Sequence, residues 1–231
     1  DQKKYQEAIT YFNKALKINP NYDDANINLC ELLTNTNIDE AISRLKEYLT
    51  RNPKSFLCAH MLGQLLERTG FPSHAIKYYN MAIASNSNYY PPLNNLGLLY
   101  LKKEYFDKAI KIFKKALKIC EHSKQKTKGH GEVYKNAGRL FYLTKDFDLA
   151  RSCFDKSIKI DPKCNKVQSQ RLILLNQICD WSELDGLKTK LPQLGISTPS
   201  VDPFPMQVME DHPERQMIRA SKYVLEKYNE D

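Results

Sequence analysis

A column of small and aromatic residues repeats along this chain: Ala, an aromatic four positions on, Ala three after that, and Pro a further five on. It runs Ala8, Phe12, Ala15, Pro20; then Ala41, Leu45, Tyr48, Pro53; then Ala75, Tyr79, Ala82, with Ser87 at the Pro position. The fourth copy is Ala109, Phe113, Ala116 with Glu121, and the fifth Ala150, Phe154, Ser157, Pro162. Spacings of three and four put these residues on one side of a helix, and Pro ends it because it cannot continue a helix interior. Five copies at intervals of 33 to 41 residues define an internal repeat.

Each such helix is preceded by another with its own pattern: Leu62-Gly63 with Leu66, Leu96-Gly97 with Tyr100, and Ala137-Gly138 with Phe141. A small residue there removes the side chain that would hold two helix axes apart, and an aromatic fills the hole beside it. Complete two-helix units are predicted over 23–55, 56–89, 90–123 and 131–164, with 124–130 an insert and 1–22 only the second helix of an earlier unit. A bare half unit needs a neighbour to cover it, so further repeats are expected before Asp1. One more helix, 165–178, closes the array with Val167, Leu172, Leu175 and Ile178 as its apolar side, and Trp181 is placed to cover the last open face.

Residues 179–231 form a separate linker segment. Pro192 to Pro205 contains four prolines and excludes regular helix. A last helix is signalled by Asp211, Glu214 and Pro213, with Met217, Ala220, Val224 and Tyr228 as its expected apolar face.

The repeat resembles the tetratricopeptide repeat, a 34-residue pair of antiparallel helices. That resemblance implies an all-α, right-handed superhelical solenoid over 1–178, followed by the Pro-rich loop and terminal helix. The tail narrows it: Cys179-Asp180-Trp181, a Ser-Glu-Leu-Asp helix and the stretch from Pro199 to Pro205 resemble the junction of O-linked N-acetylglucosamine transferases, glycosyltransferase family 41. This implies a substrate-recognition arm whose catalytic lobes, with UDP-GlcNAc, lie outside residues 1–231, so no catalytic residue is carried over. The alternative is a stand-alone scaffold or adaptor for assembling protein complexes.

Chemistry of the chain's own is sparse. Gly129-His130-Gly131 lacks the third glycine of a dinucleotide loop, and neither a Gly-Lys-Ser/Thr loop nor a His-Glu-x-x-His motif occurs. The six cysteines form no CxxC pair, which points to buried thiols and a reducing, cytoplasmic or nuclear compartment, with Cys120, His122 and His130 as a minor metal candidate. No apolar stretch approaches the roughly 18 residues of a membrane span.

The first helices carry the expected binding surface. Their sixth positions read Asn28, Met61, Asn95, Asn136 and Gln170. Asn is a poor helix-interior residue, and its amide matches the donor and acceptor of a peptide bond. In the transferase family an Asn ladder at this position grips protein substrates, which assigns peptide binding to Asn28, Asn95 and Asn136; Met61 interrupts the row. The Lys and Asn pattern of repeats that clamp chaperone carboxylates is absent: Ile27, His60, Asn94, Lys135 and Ser169 stand at its Lys position, and Lys135 is followed four residues on by Arg139.

Charge sharpens one segment. The net charge is +8, and ten lysines against three acids between Lys102 and Lys128 give a local +7. Lys108, Lys111, Lys115 and Lys118 share one helix side: a solvated face, or one that draws an acidic partner. Phe106 and Phe113 hold packing positions, so nucleic acid is not the expected ligand.

Overall fold

The computed structural model describes residues 2–180, 192, 196 and 212–228, with side-chain burial defined over 4–226 outside the gaps. Among them are eleven α-helices and no strand: α1 (Gln2–Ile18), α2 (Asp23–Thr34), α3 (Ile38–Arg51), α4 (Phe56–Arg68), α5 (Pro72–Ser85), α6 (Pro91–Lys102), α7 (Phe106–His122), α8 (Lys128–Leu143), α9 (Phe147–Ile160), α10 (Asn165–Gln177) and α11 (Pro213–Tyr228). The chain forms two compact units, Asp1–Ile119 and Cys120–Asp231, with the boundary inside α7.

In the first unit consecutive helices pack as hairpins, and the first helices α2, α4 and α6 also touch in sequence. The hairpins close on one contact. A Cβ on Gly63 would lie 2.6 Å from the Tyr79 ring, and one on Gly97 would lie 2.7 Å from the Phe113 ring. Neither distance leaves room for a methyl group, so the aromatic of each second helix lies directly on the backbone of its first. The second unit repeats the arrangement, with Gly138 at 2.6 Å from Phe154. In α2–α3 the pair becomes Cys30 and Leu45, each within 1% of full burial: the small residue grows as the large one shrinks.

The ends of the first helices are also alike. Gly70, Glu104, Lys145 and Cys179 all have positive φ, at 83°, 58°, 62° and 54°. Each is followed by an amide that reaches back to a carbonyl of the preceding helix: Phe71 to Leu66 at 2.7 Å, Tyr105 to Tyr100 at 2.9 Å, Asp146 to Phe141 at 2.8 Å and Asp180 to Leu175 at 2.9 Å. This left-handed cap turns the chain into the second helix. Only one of the four sites uses glycine, the residue the conformation favours. The turn between α2 and α3 has no such residue; there Asn37 donates its amide to Leu33 and caps α3 by accepting from the Glu40 amide at 3.2 Å. Because α10 ends like α4, α6 and α8, it is a first helix in geometry as well as in sequence.

The repeat's punctuation behaves as its chemistry dictates. α1, α3 and α9 stop two residues before Pro20, Pro53 and Pro162. With Glu121 at that position, α7 continues to His122 and reaches 17 residues against 14 in α3, α5 and α9. The expected insert 124–130 is only partly a loop. Its last three residues lengthen α8, and Lys126 docks its ammonium on the closing carbonyls of α7, at 3.0 Å from Glu121 and 2.7 Å from Ser123, with Cys120 a third acceptor. A cation at a helix C-terminus offsets the partial negative charge there.

The last helix differs from expectation. Pro213 opens it, but Met217 and Val224 are 66% and 51% exposed while Arg219 is fully buried. The more buried side runs through Arg215, Arg219, Lys222 and Tyr223. The expected roles of Trp181 and the side chain of Tyr228, and the Pro-rich loop between Pro192 and Pro205 apart from its first residue and Ile196, lie outside the described residues.

Two sets of substitutions test these contacts by urea denaturation. Gly138→Ala is expected to destabilise by ~1–3 kcal/mol through its clash with Phe154. Glu104→Gly and Lys145→Gly are each expected to stabilise by about 1 kcal/mol, by removing a side chain from a left-handed backbone.

Candidate functional site

The amides at the sixth position of the first helices sit in unlike surroundings. Asn28 is exposed on α2, whereas Asn95 on α6, Asn136 on α8 and Gln170 on α10 are half-buried. Met61, which interrupts the row, packs against the core of the first unit.

Asn95 belongs to a polar network. Its Nδ2 donates to Nε2 of His60 at 3.0 Å. With Nε2 accepting, the His60 proton sits on Nδ1 and points to the Tyr89 hydroxyl, 3.3 Å away. Tyr79 donates its own proton to Oε2 of Glu67 at 2.9 Å, and Oε1 of Glu67 accepts from Lys102 at 3.2 Å. Donors and acceptors alternate throughout. The network ties α4, α5 and α6 together with the loop that carries Tyr89.

Burial holds this network in one protonation state. His60 is 8% exposed, and loss of solvent lowers its pKa to about 4, so the ring is neutral at physiological pH. Burial and the Glu67 carboxylate push the Tyr79 hydroxyl far above its ordinary value, so it remains a donor. One donor of Asn95 is committed to His60, while its carbonyl oxygen has no hydrogen-bond partner among the described residues. The amide thus keeps its acceptor open with one of its two donors already spent.

Asn136 is likewise not a free amide, and the carbonyl oxygen of Gln170 is buried without a partner among the described residues. A second polar cluster staples α2 to the start of α4. Asp23 accepts from the hydroxyl of Tyr48 and from Ser55 Oγ at 2.9 Å, and Ser55 in turn caps the amide of Cys58 at 3.4 Å. Tyr48 stands in the column where Ala82 and Ala116 stand, and its size is what lets it reach across.

The remaining chemistry is structural. Cys30, Cys58, Cys120 and Cys153 are buried; desolvation raises Cys30 and Cys153 to about 12, and Cys58 and Cys120 to about 11, so all four are protonated thiols at neutral pH. Cys164 is half-buried and Cys179 exposed. His130 spends its Nδ1 on the Thr127 amide at 3.0 Å, where it completes the cap of α8. No group of three or more potential metal ligands occurs among the described residues. None of the described helices is long and apolar enough to cross a membrane. Lys108, Lys111, Lys115 and Lys118 are exposed on α7, and Phe113 is buried, while Phe106, expected at a packing position, is exposed.

The sequence pattern singles out Asn95 as a contact but does not show His60, which holds it, or Tyr89 behind His60. A signal existed: His60 occupies the fifth position just before the interruption at Met61, and it meets Asn95 of the following unit, 35 residues on.

Residues 91–163 and residues 1–22 match family models described as tetratricopeptide repeat. A comparison with curated protein sequences finds none that matches. Among solved structures, Pseudomonas aeruginosa pilF is 20% identical with a TM-score of 0.70, covering 90% of this chain and 93% of that one. A tetratricopeptide repeat protein from Parabacteroides merdae is 17% identical with a TM-score of 0.64, covering 100% and 90%. YrrB, described as a tetratricopeptide repeat protein with an unusual peptide-binding site, is 14% identical with a TM-score of 0.55, covering 80% and 85%. At these identities the likeness is one of fold.

His60 makes stability depend on pH. Its pKa is lowered in the folded state, so the unfolded chain binds the extra proton; stability is full above the ordinary histidine value and falls as pH drops toward 4. Between pH 7.5 and 5 the native protein is expected to lose about 2 kcal/mol through this group. Urea midpoints for His60→Gln should show that much less pH dependence.

Proposed function

We propose that this chain of tetratricopeptide repeats is a protein-binding scaffold, and that each of its units holds an extended segment of a partner through amides on its first helices. Asn28, Asn95 and Asn136 are the proposed contacts. The observation that carries this reading is Asn95, whose amide nitrogen is held by His60 at 3.0 Å and whose carbonyl oxygen has no hydrogen-bond partner among the described residues. A side chain so fixed costs little entropy on binding and is matched to a backbone N–H. Backbone recognition of this kind tolerates many partner sequences. The peptide-binding site described for YrrB lends the reading support at the level of fold alone.

A second reading makes the chain the substrate arm of a glycosyltransferase that uses UDP-GlcNAc. It rests on the sequence from Cys179 to Pro205, of which Cys179, Asp180, Pro192 and Ile196 are described. Asp180 pairs with Arg151 at 2.7 Å, a contact that holds the end of α10 and speaks equally for a plain repeat junction. The scaffold reading needs no further domain and is preferred. Sugar transfer from UDP-GlcNAc to protein by the complete parent polypeptide would support the arm reading instead.

Fluorescence anisotropy with a panel of unrelated unstructured peptides tests the scaffold. Asn28→Ala and Asn136→Ala are each expected to weaken the whole panel by about 3- to 10-fold, the worth of one hydrogen bond, with circular dichroism unchanged. Unaltered affinities, or losses confined to single peptides, contradict backbone recognition.

A further inference from the structure

The second helix α7 carries a surface that the groove reading does not use. Lys108, Lys111, Lys114, Lys115 and Lys118 are all exposed and recur at three- and four-residue spacing, so they form one stripe about 15 Å long. Lysines one turn apart repel each other, and the stripe contains several such neighbours. Elsewhere in the same unit cations are neutralised: Arg44 pairs with Glu40 at 2.9 Å, Arg51 with Glu47 at 3.4 Å and Lys102 with Glu67 at 3.2 Å. Lys111, Lys114 and Lys115 have no carboxylate within ion-pair reach among the described residues, although Asp107 lies one turn before Lys111. The helix thus keeps a concentrated positive field that it could have cancelled internally, as α3 does.

The character of the stripe selects its partner. The ammonium of Lys108 sits over the rings of Tyr105 and Tyr100, at 5.2 and 5.7 Å from their centroids, so the aromatics beside the stripe already carry a cation and give no open platform for bases. Ile110, Ile112 and Leu117 are half-buried and do not project between the lysines, so the stripe has no apolar wedge for a bilayer. What remains is a narrow row of ammonium groups at helical spacing. An acidic helix with carboxylates three and four residues apart repeats that spacing.

We propose that the exposed face of α7 docks an acidic segment of a protein partner, independently of the amide surface on the first helices. The test uses the full chain and three fluorescent probes: a helical peptide with glutamates at three- and four-residue spacing, a short DNA duplex, and vesicles of phosphatidylserine in phosphatidylcholine. The peptide is expected to bind best, with affinity falling steeply as salt rises, and Lys111→Glu/Lys115→Glu should weaken it at least about tenfold. Lys14→Glu/Lys77→Glu, which makes the same change of net charge on other helices, should leave binding within about twofold. The proposal is overturned if the peptide does not bind, if both double variants lose affinity equally, or if duplex or vesicles bind more tightly than the peptide through Lys111 and Lys115.

Discussion

Every full hairpin from α4 to α9 depends on an aromatic ring laid against a glycine in the facing helix. Tyr79 on Gly63, Phe113 on Gly97 and Phe154 on Gly138 leave gaps too small for any side chain. Two helices that approach so closely bury the rest of their facing residues as a consequence, among them Ala75, Ala109 and Ala150, none of which is exposed at all. Where the glycine is replaced by Cys30, the ring is replaced by Leu45, and the same volume is shared differently. A change at one partner alone has nowhere to go, because packed interiors do not stretch to accommodate it.

The close approach also sets where polar groups can meet. Tyr79 lies over Gly63 with its ring and still reaches Glu67 with its hydroxyl, so one side chain closes a hairpin and anchors a polar link that continues to Lys102. His60, whose ring centroid is 6.0 Å from that of Tyr79, holds the amide nitrogen of Asn95 and leaves its carbonyl oxygen without a partner among the described residues, so packing and candidate function meet at these two rings. A scaffold that must present fixed acceptors along a surface gains that rigidity from its core.

Much of this was legible in the sequence, for physical reasons that can be named. Small and aromatic residues at fixed spacing encode the hairpin contact directly, so the helices and the limits set by Pro20, Pro53 and Pro162 follow from pattern alone. The left-handed turns were not visible at Glu104, Lys145 and Cys179, because tertiary packing imposes a conformation those residues do not prefer. Nor did the pattern show which face of α11 is buried: Arg219 is fully buried, and a charged residue type points the other way. At the candidate site the amide column could be read, but not its hydrogen-bond polarity, which depends on contacts between residues of different units.

The central claim is that the column of amides on the first helices meets the backbone of a bound polypeptide. Side-chain amide resonances of 15N-labelled protein, followed during titration with an unstructured peptide, test it most directly. The account predicts that the signals of Asn28 and Asn95 shift together and saturate at one peptide concentration and that the signal of Asn136 also shifts, while those of Asn80 and Asn86 on the second helix α5 and its cap stay in place. Shifts confined to the second helices, with the three amides unmoved, would contradict it.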